Sequence, residues 1–334
     1  MRYFMKRMLF MVITMAGIIT ITFFITKLRP DPITAQSLSQ DGLASHSASQ
    51  EAIEEQKKRW GYDQPLYIQY FKVWKLILTF DFGKSRVDER EVIDKIKEAL
   101  PITLALNVIT IFIVYLISVP LGVYSALNES SMTDRVLTFS LYILYSLPSF
   151  WIALMLLKYL AGGDYLDLFP IGGLISDHHD QLGWYYQMMD YAWHLFLPVL
   201  VSVYGAFAFL SRFVKNTFIE TWKSDFIRTA RAKGLTKRRV IFIHALRNSL
   251  IPLVTLMAGL LPELFGGSVI IESIFSIPGM GKLAYDSIYI NDDTVIIAIT
   301  SIAAFLTLFG ILISDFMYTL IDPRIRFEKE DQSK

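Results

Sequence analysis

Five histidines and one glutamate set inside an apolar stretch are the groups in this sequence with the most scope for chemistry. The histidines are His46, His178, His179, His194 and His244, and each falls in a loop or at the end of an apolar run. A serine nucleophile inside a membrane needs a histidine base at the same depth. None sits there, which argues against an intramembrane hydrolase. His178 and His179, flanked by Asp177 and Asp180, have the residue types of a metal site, but sequence neighbours rarely converge on one ion and no further ligands accompany them. They are expected to be solvated loop residues, with no metal bound. The sequence has no cysteine, so disulfides, iron–sulfur clusters and thiol catalysis are excluded. No Gly-x-x-x-x-Gly-Lys-Ser/Thr phosphate loop occurs, so the chain cannot hydrolyse ATP itself. No catalytic residue is expected.

Glu263, in Leu260-Leu-Pro-Glu-Leu-Phe-Gly-Gly267, is the group that remains. A carboxylate in an apolar run is costly at membrane depth and faces a cavity or a partner. It reads either as the lining of a translocation path or as a hydrogen-bonded packing residue. Gly266 and Gly267 permit close helix approach or bending, and Pro262 loosens the backbone beside them. Asn107 fits either a path or a helix–helix hydrogen bond.

The elements that would position these groups are membrane helices. Of 334 residues, 53% are hydrophobic and 19% charged, and the mean hydropathy is +0.42. That is too apolar for a soluble globular surface. Six runs approach the roughly 20 apolar residues that a spanning helix needs: Phe10–Ile25, Ile102–Tyr124, Val136–Leu160, Leu195–Leu210, Leu250–Phe275 and Val295–Leu320. Their continuity argues against a β-barrel, whose strands alternate. The fold class is therefore an all-α polytopic membrane protein. The first run, preceded by Arg2, Lys6 and Arg7, is read as a retained helix because no small-x-small cleavage site follows it.

Basic residues orient the spans. The segment 161–194 has five aspartates and no Lys or Arg, whereas 211–249 has ten Lys and Arg against Glu220 and Asp225. The second segment therefore lies inside, together with both termini. Residues 28–100 form a large outer region of nearly balanced charge. Within it, 37–50 reads as a Ser/Ala/Gln-rich linker, 51–60 as a short charged helix, and 66–80 as an interfacial helix or part of a small outer core. Residues 101–322 hold the remaining five helices, and 323–334 a tail on the inner side.

The inner loop 211–249 carries the densest pattern. From Asp225 to Lys233 the residues favour a helix with charges matched to its dipole. Gly234 stands where a left-handed C-cap is needed, and Thr236 can cap a second helix with Val240, Ile243 and Leu246/Arg247 at helical spacing. The product is two short helices at a sharp bend. Charge alone fits lipid binding, but it does not explain the small residues Ala230 and Ala232 beside the bend. These point to a docking element for another protein. A nucleic-acid role is not expected of a basic patch between two spans.

The run Arg228-Thr-Ala-Arg-Ala-Lys-Gly234, followed by His244-Ala-Leu-Arg-Asn-Ser-Leu-Ile-Pro252, resembles the Glu-Ala-Ala loop of ABC importer permeases. The likeness is to the first-permease type of the oligopeptide/dipeptide/nickel branch. Further stretches match in the family's order: Asp63-Gln-Pro-Leu-Tyr-Ile-Gln-Tyr70, Asp81-Phe-Gly83, Pro101-Ile-Thr-Leu104, Val119-Pro-Leu-Gly122, Asp134-Arg135, Ser146-Leu-Pro-Ser-Phe-Trp151, Glu272-Ser-Ile-Phe-Ser-Ile-Pro-Gly-Met-Gly-Lys-Leu283 and Asp322-Pro-Arg-Ile-Arg326. The resemblance implies an importer-type permease fold of six helices with a large outer loop after the first. It implies that Arg228, Thr229, Ala230, Ala232, Gly234, His244 and Arg247 couple to an ATPase, with Arg228 standing where the family has Glu and Thr229 where it has Ala. Glu263, Gly266, Gly267, Glu272 and Asn107 would line the path, and Pro278, Gly279 and Gly281 would form an outer gate. Asp292-Asp-Thr-Val295 departs from the family's Asp-x-Pro. The implied partners are a second homologous permease, two ATPase subunits that use ATP and Mg, an extracytoplasmic solute-binding protein and the bilayer of a bacterial inner membrane. The implied solute is an oligopeptide or dipeptide, with nickel or another small solute as the alternative. A stand-alone secondary transporter would show inverted repeats and paired carboxylates; neither is seen.

Overall fold

The computed structural model describes residues 2–28, 55, 58, 61–162, 165–260 and 263–321. The linker expected at 37–50, nearly all of the helix expected at 51–60, Pro262 and the tail from 322 lie outside the described residues. The described residues are helical and form no named strand, only isolated bridges between Lys84 and Glu91 and between Ala161 and Phe169.

Among the described residues, four helices are long and apolar enough to cross a bilayer: α1 (Arg2–Leu28), α3 (Val92–Leu127), α6 (Trp184–Trp222) and α14 (Asp293–Ile321). The predicted spans within them are too short at both ends. Ile102–Tyr124 is the middle of α3, and Leu195–Leu210 the middle of α6. Each helix runs on into polar sequence, because hydrogen-bonded backbone needs no apolar side chains once it has left the bilayer.

Two predicted spans are not single rods. Val136–Leu160 is the pair α4 (Met132–Ser146) and α5 (Ser149–Leu160), bent by 92°. Leu147 and Pro148 are both extended at the elbow, with ψ of 129° and 134°. The proline ring disfavours helical backbone at the residue before it, so the helix stops at Ser146. Leu250–Phe275 is divided into α10 (Ile251–Leu260), α11 (Glu263–Gly266) and α12 (Val269–Ile274). Gly267 takes a φ of +62°, which ends α11, and Ser268 then caps α12 by accepting from the Ile271 amide. With the bent pair as one span the described helices give five crossings, a set compatible with six once this interrupted segment is included.

In the outer region, α2 spans Leu66–Thr79. Val73 and Ile77 are buried in a cluster with Ile19 and Phe23 of α1, Val92 and Ile96 of α3, and Val295 and Ile299 of α14. The Tyr70 hydroxyl lies 2.7 Å from Thr20 Oγ1. The opposite face leaves Leu66, Tyr67, Phe71, Leu78 and Phe80 exposed. The helix is thus part of a common core with the spans while keeping an apolar outer face. Asp292 and Asp293 pin the loop beside it. Asp292 accepts from Ser85 Oγ (2.5 Å) and the Arg86 amide, and Asp293 accepts from the Tyr62 hydroxyl (2.7 Å) and pairs with Arg86 (3.2 Å). The sequence that departs from Asp-x-Pro is therefore the anchor of the outer loop.

α3 and α6 form the most extensive helix pair. At Gly122 they touch: an added Cβ would lie 2.6 Å from the Ser211 carbonyl oxygen and 2.7 Å from Val214 Cβ. A backbone oxygen cannot swing aside. Gly122→Ala should therefore lower the stability of the detergent-solubilised chain by about 1–3 kcal/mol, read as a fall in its thermal midpoint. Gly205→Ala, where nothing stands within 4 Å, should not lower it. Equal midpoints for both variants would contradict the close contact.

Candidate functional site

α6 runs directly into the basic hairpin. After a turn at Ser224, α7 (Asp225–Ala232) buries Ile227 and Ala230 against the same core that contains Phe218 of α6. Arg231 Cζ lies over the Trp222 ring, 4.0 Å from its centroid, and Trp222 stacks on Phe218. Gly234 follows with φ +76°, the left-handed position that its place after the helix led us to expect. The second helix begins at Thr236, whose side chain makes no capping bond. It comprises α8 (Lys237–Arg239), a wide π turn over Val240–Leu246 and α9 (Arg247–Ser249).

The π turn changes which residues face inward. Helical spacing pointed to Val240, Ile243 and Leu246/Arg247. The buried residues are Val240, Ile241, Ala245 and Ser249, while Ile243 is half exposed. A π helix closes its bonds over five residues rather than four, so the inward face recurs at 240, 245 and 249. Phe242 and Ile243 consequently point outward, with exposures of 58% and 50%, and Phe226 on α7 is 46% exposed. Arg228, Thr229, Ala232, Gly234 and Arg247 of the same hairpin are also exposed. Ala230, in contrast, is buried and brings α7 close to its own chain. Arg228 pairs with Asp225 (3.5 Å), Thr229 Oγ1 donates to the Asp225 carbonyl, and the His244 carbonyl accepts from Asn248 Nδ2.

Between α3, α6 and the interrupted segment lies a cavity of about 340 Å³. Asn107, Thr110, Val114, Ser202, Leu256, Glu263 and Ser268 are among its lining residues. Asn107 Nδ2 also donates to the carbonyls of Leu264 (2.9 Å) and Glu263 (3.3 Å), joining α3 to the interrupted segment. Among the described residues the Glu263 carboxylate makes no hydrogen bond or ion pair. Gly266, Gly267 and Glu272 are not part of the lining.

Glu272 has a different place. It is fully buried, and its carboxylate accepts from Thr103 Oγ1 (3.1 Å), the Ser268 amide (3.2 Å) and the Lys282 amide (2.9 Å). Thr103 Oγ1 in turn accepts from the Met280 amide. A Cβ on Gly279 would lie 2.6 Å from both Glu272 Oε2 and Thr103 Oγ1, and one on Gly281 2.7 Å from the Val269 amide. Pro278 is exposed. Glu272 thus clasps the 276–281 turn to α3 and to the start of α12. The turn leads into α13 (Met280–Tyr289).

Residues 118–327 match the family model of the binding-protein-dependent transport system inner membrane component. The chain belongs to this family. It is 36% identical to the oligopeptide transport system permease protein AppB of Bacillus subtilis, over 97% of this chain and 99% of that protein. Its identity to the inner membrane ABC transporter permease protein YejB of Escherichia coli is 34%, over 98% and 99%. The dipeptide transport system permease protein DppB of Lactococcus lactis is also 34% identical, over 97% and 99%. A solved structure of the MetNI methionine ABC transporter in inward-facing conformations matches with a TM-score of 0.53 and 18% identity, over 69% of this chain and 97% of that one. The chain is thus an ABC transporter permease, the non-catalytic inner-membrane component of a system whose ATPase is a separate partner.

Two polar knots of this permease went unseen in the sequence. His179 is buried, not solvated: its Nδ1 lies 2.7 Å from Asp190 Oδ2, and His194 Nδ1 lies 3.3 Å from Asp190 Oδ1. Among the described residues no cluster of three or more His, Cys, Asp or Glu side chains is arranged to hold a metal ion. The second knot joins Asp134 to Lys215 at 2.5 Å. Lys215 was counted only as loop charge, yet it belongs to α6. The Glu272 clasp yields a direct expectation. Glu272→Gln turns an acceptor oxygen into a donor facing an amide donor, which should cost about 1–3 kcal/mol and lower the thermal midpoint. A midpoint equal to that of the parent would mean that the clasp contributes nothing.

Proposed function

We propose that this chain forms half of the translocation pore of an ATP-driven importer for oligopeptides or dipeptides. The other half is a second homologous permease. The hairpin docks on a pair of ATPase subunits that use ATP and Mg, and an extracytoplasmic binding protein delivers the solute. The peptide class is supported by relatives named for oligopeptide and dipeptide transport that cover nearly the whole chain. The excess of basic residues in 211–249 supports an orientation with the hairpin and both termini in the cytoplasm.

One observation carries the coupling role: Phe226, Phe242 and Ile243 are exposed on a hairpin dense in Arg and Lys. Large apolar groups ringed by cations fit a protein cleft, where aromatic anchors dominate affinity. The buried Ile227, Ala230 and Ala245 fasten the other side of the same hairpin to the transmembrane core. A push on the outer face is therefore delivered to α6. In the pore, Asn107 and Glu263 line the cavity between α3, α6 and the interrupted segment, with Gly266 and Gly267 allowing that segment to bend. The turn at Pro278, Gly279 and Gly281, held by Glu272, serves as the outer gate.

Reconstitution tests this. Vesicles containing both permeases and the ATPase, with binding protein outside and ATP inside, should accumulate labelled peptide and cease when ATP is withheld. Uptake by this chain alone under an ion gradient would contradict the proposal, as would uptake of nickel with none of peptide. Phe242→Ala should weaken ATPase association by about tenfold, equivalent to ~1.4 kcal/mol, with the positive charge of the hairpin intact. Unchanged co-purification and uptake in that variant would remove the aromatic anchor from the account.

A further inference from the structure

The Asp134–Lys215 knot lies where the lever of the permease meets its bent pair. Lys215 is on α6, less than three turns before α7 begins at Asp225. Asp134 is in the first turn of α4, where the helix dipole favours a carboxylate. It is 6% exposed and gathers donors from three directions. Ser125 Oγ on α3 donates at 2.5 Å, the Ser130 amide in the intervening turn at 3.1 Å, and Lys215 Nζ at 2.5 Å. Lys215 also reaches Thr138 Oγ1 at 3.3 Å. One carboxylate thus joins α3, α4 and α6 within a turn of the Gly122 contact.

α4 is tied to α6 along its whole length. Arg212 lies over the Tyr142 ring at 4.1 Å, and the Tyr204 hydroxyl donates to the Leu147 carbonyl at 2.6 Å. The last bond sits at the 92° elbow. Beyond it α5 packs on α12, whose Ile271 lines the cavity. A displacement of α6 at the hairpin end therefore carries α4 with it and reaches the elbow. Buried ion pairs contribute little net stability, because desolvation offsets attraction. Stability alone therefore does not account for placing two charges here, whereas fixing a single angle between helices does.

We propose that Asp134 and Lys215 are a positioning pair that fixes α4 to α6, so that motion of the docked hairpin is passed to the α4–α5 elbow and the cavity wall. This rests on the reading of the chain as an ATP-driven permease. The test is solute moved per ATP hydrolysed in vesicles containing the complete importer. Parent importer with no ATP-linked uptake would reject the transport reading itself. With the parent active, Asp134→Asn combined with Lys215→Met removes both charges at nearly constant volume. We expect normal assembly and ATP hydrolysis, with the solute-to-ATP ratio reduced several-fold. Lys215→Arg, which keeps the charge, should restore most of the ratio to a chain with Asp134 intact. A parent-like ratio in the double variant would overturn the proposal. If the double variant fails to assemble, cysteines at 134 and 215 joined by a short reducible cross-linker carry the test. Coupling should then be present when linked and lost on reduction, and a ratio indifferent to reduction would overturn the proposal equally.

Discussion

Contact between α3 and α6 at Gly122 is the constraint on which the other features depend. With no Cβ in the way, the Ser211 carbonyl and Val214 approach the α3 backbone, and the two longest helices of the described chain lie against each other. α6 then continues beyond the expected membrane edge as an unbroken helix and ends at the hairpin. Phe218 and Trp222 on its last turns, stacked on each other and covered by Arg231, join α7 to that rod. Ile227, Ala230 and Ala245 belong to the same apolar cluster as Leu106, Val114 and Leu197 in the spans. A single core thus extends from the transmembrane pair to the hairpin, and close-packed interiors transmit displacement rather than absorb it.

The parts that are not rods pack against this pair or across the cavity from it. α4 and α5 meet at an extended Leu147–Pro148, and the predicted fifth span is three short helices. Irregular backbone at membrane depth is tolerated where it is buried in protein or lines a cavity. Here it lines one, and Asn107 satisfies two of the carbonyls that the broken helix leaves free. At the other end Glu272 and Thr103 supply acceptors for the amides of Ser268, Met280 and Lys282. The close pair is two unbroken helices, whereas the segment across the cavity from it is jointed.

Much of this was legible in the sequence because it is local. Apolar length identified α1, α3, α6 and α14, and the glycine after Lys233 announced the left-handed turn of the hairpin. The ordered motifs pointed to the family to which the chain belongs. What escaped was either long-range or a matter of backbone register. Pro148 was visible, yet apolar residues on both sides made one span of two helices. The π turn moved the inward face of the second hairpin helix from Ile243 to Ala245, and helical spacing does not foresee it. Glu272 lies 169 residues from Thr103 and Asp134 lies 81 from Lys215. At such separations residue type says only that a partner is needed. His179 looked like loop because its acceptor, Asp190, sits a full turn inside the next helix.

Force can pass from the hairpin to the spans only if the hairpin and α6 move as one body. The chain has no cysteine, so two engineered ones report alone. Spin labels at Ala232→Cys on α7 and Leu200→Cys on α6, both exposed positions, measure that body directly in the assembled importer by pulsed electron resonance. One narrow distance is expected, identical with and without trapped ATP. A distance that shifts with nucleotide, or splits into two populations, would contradict it.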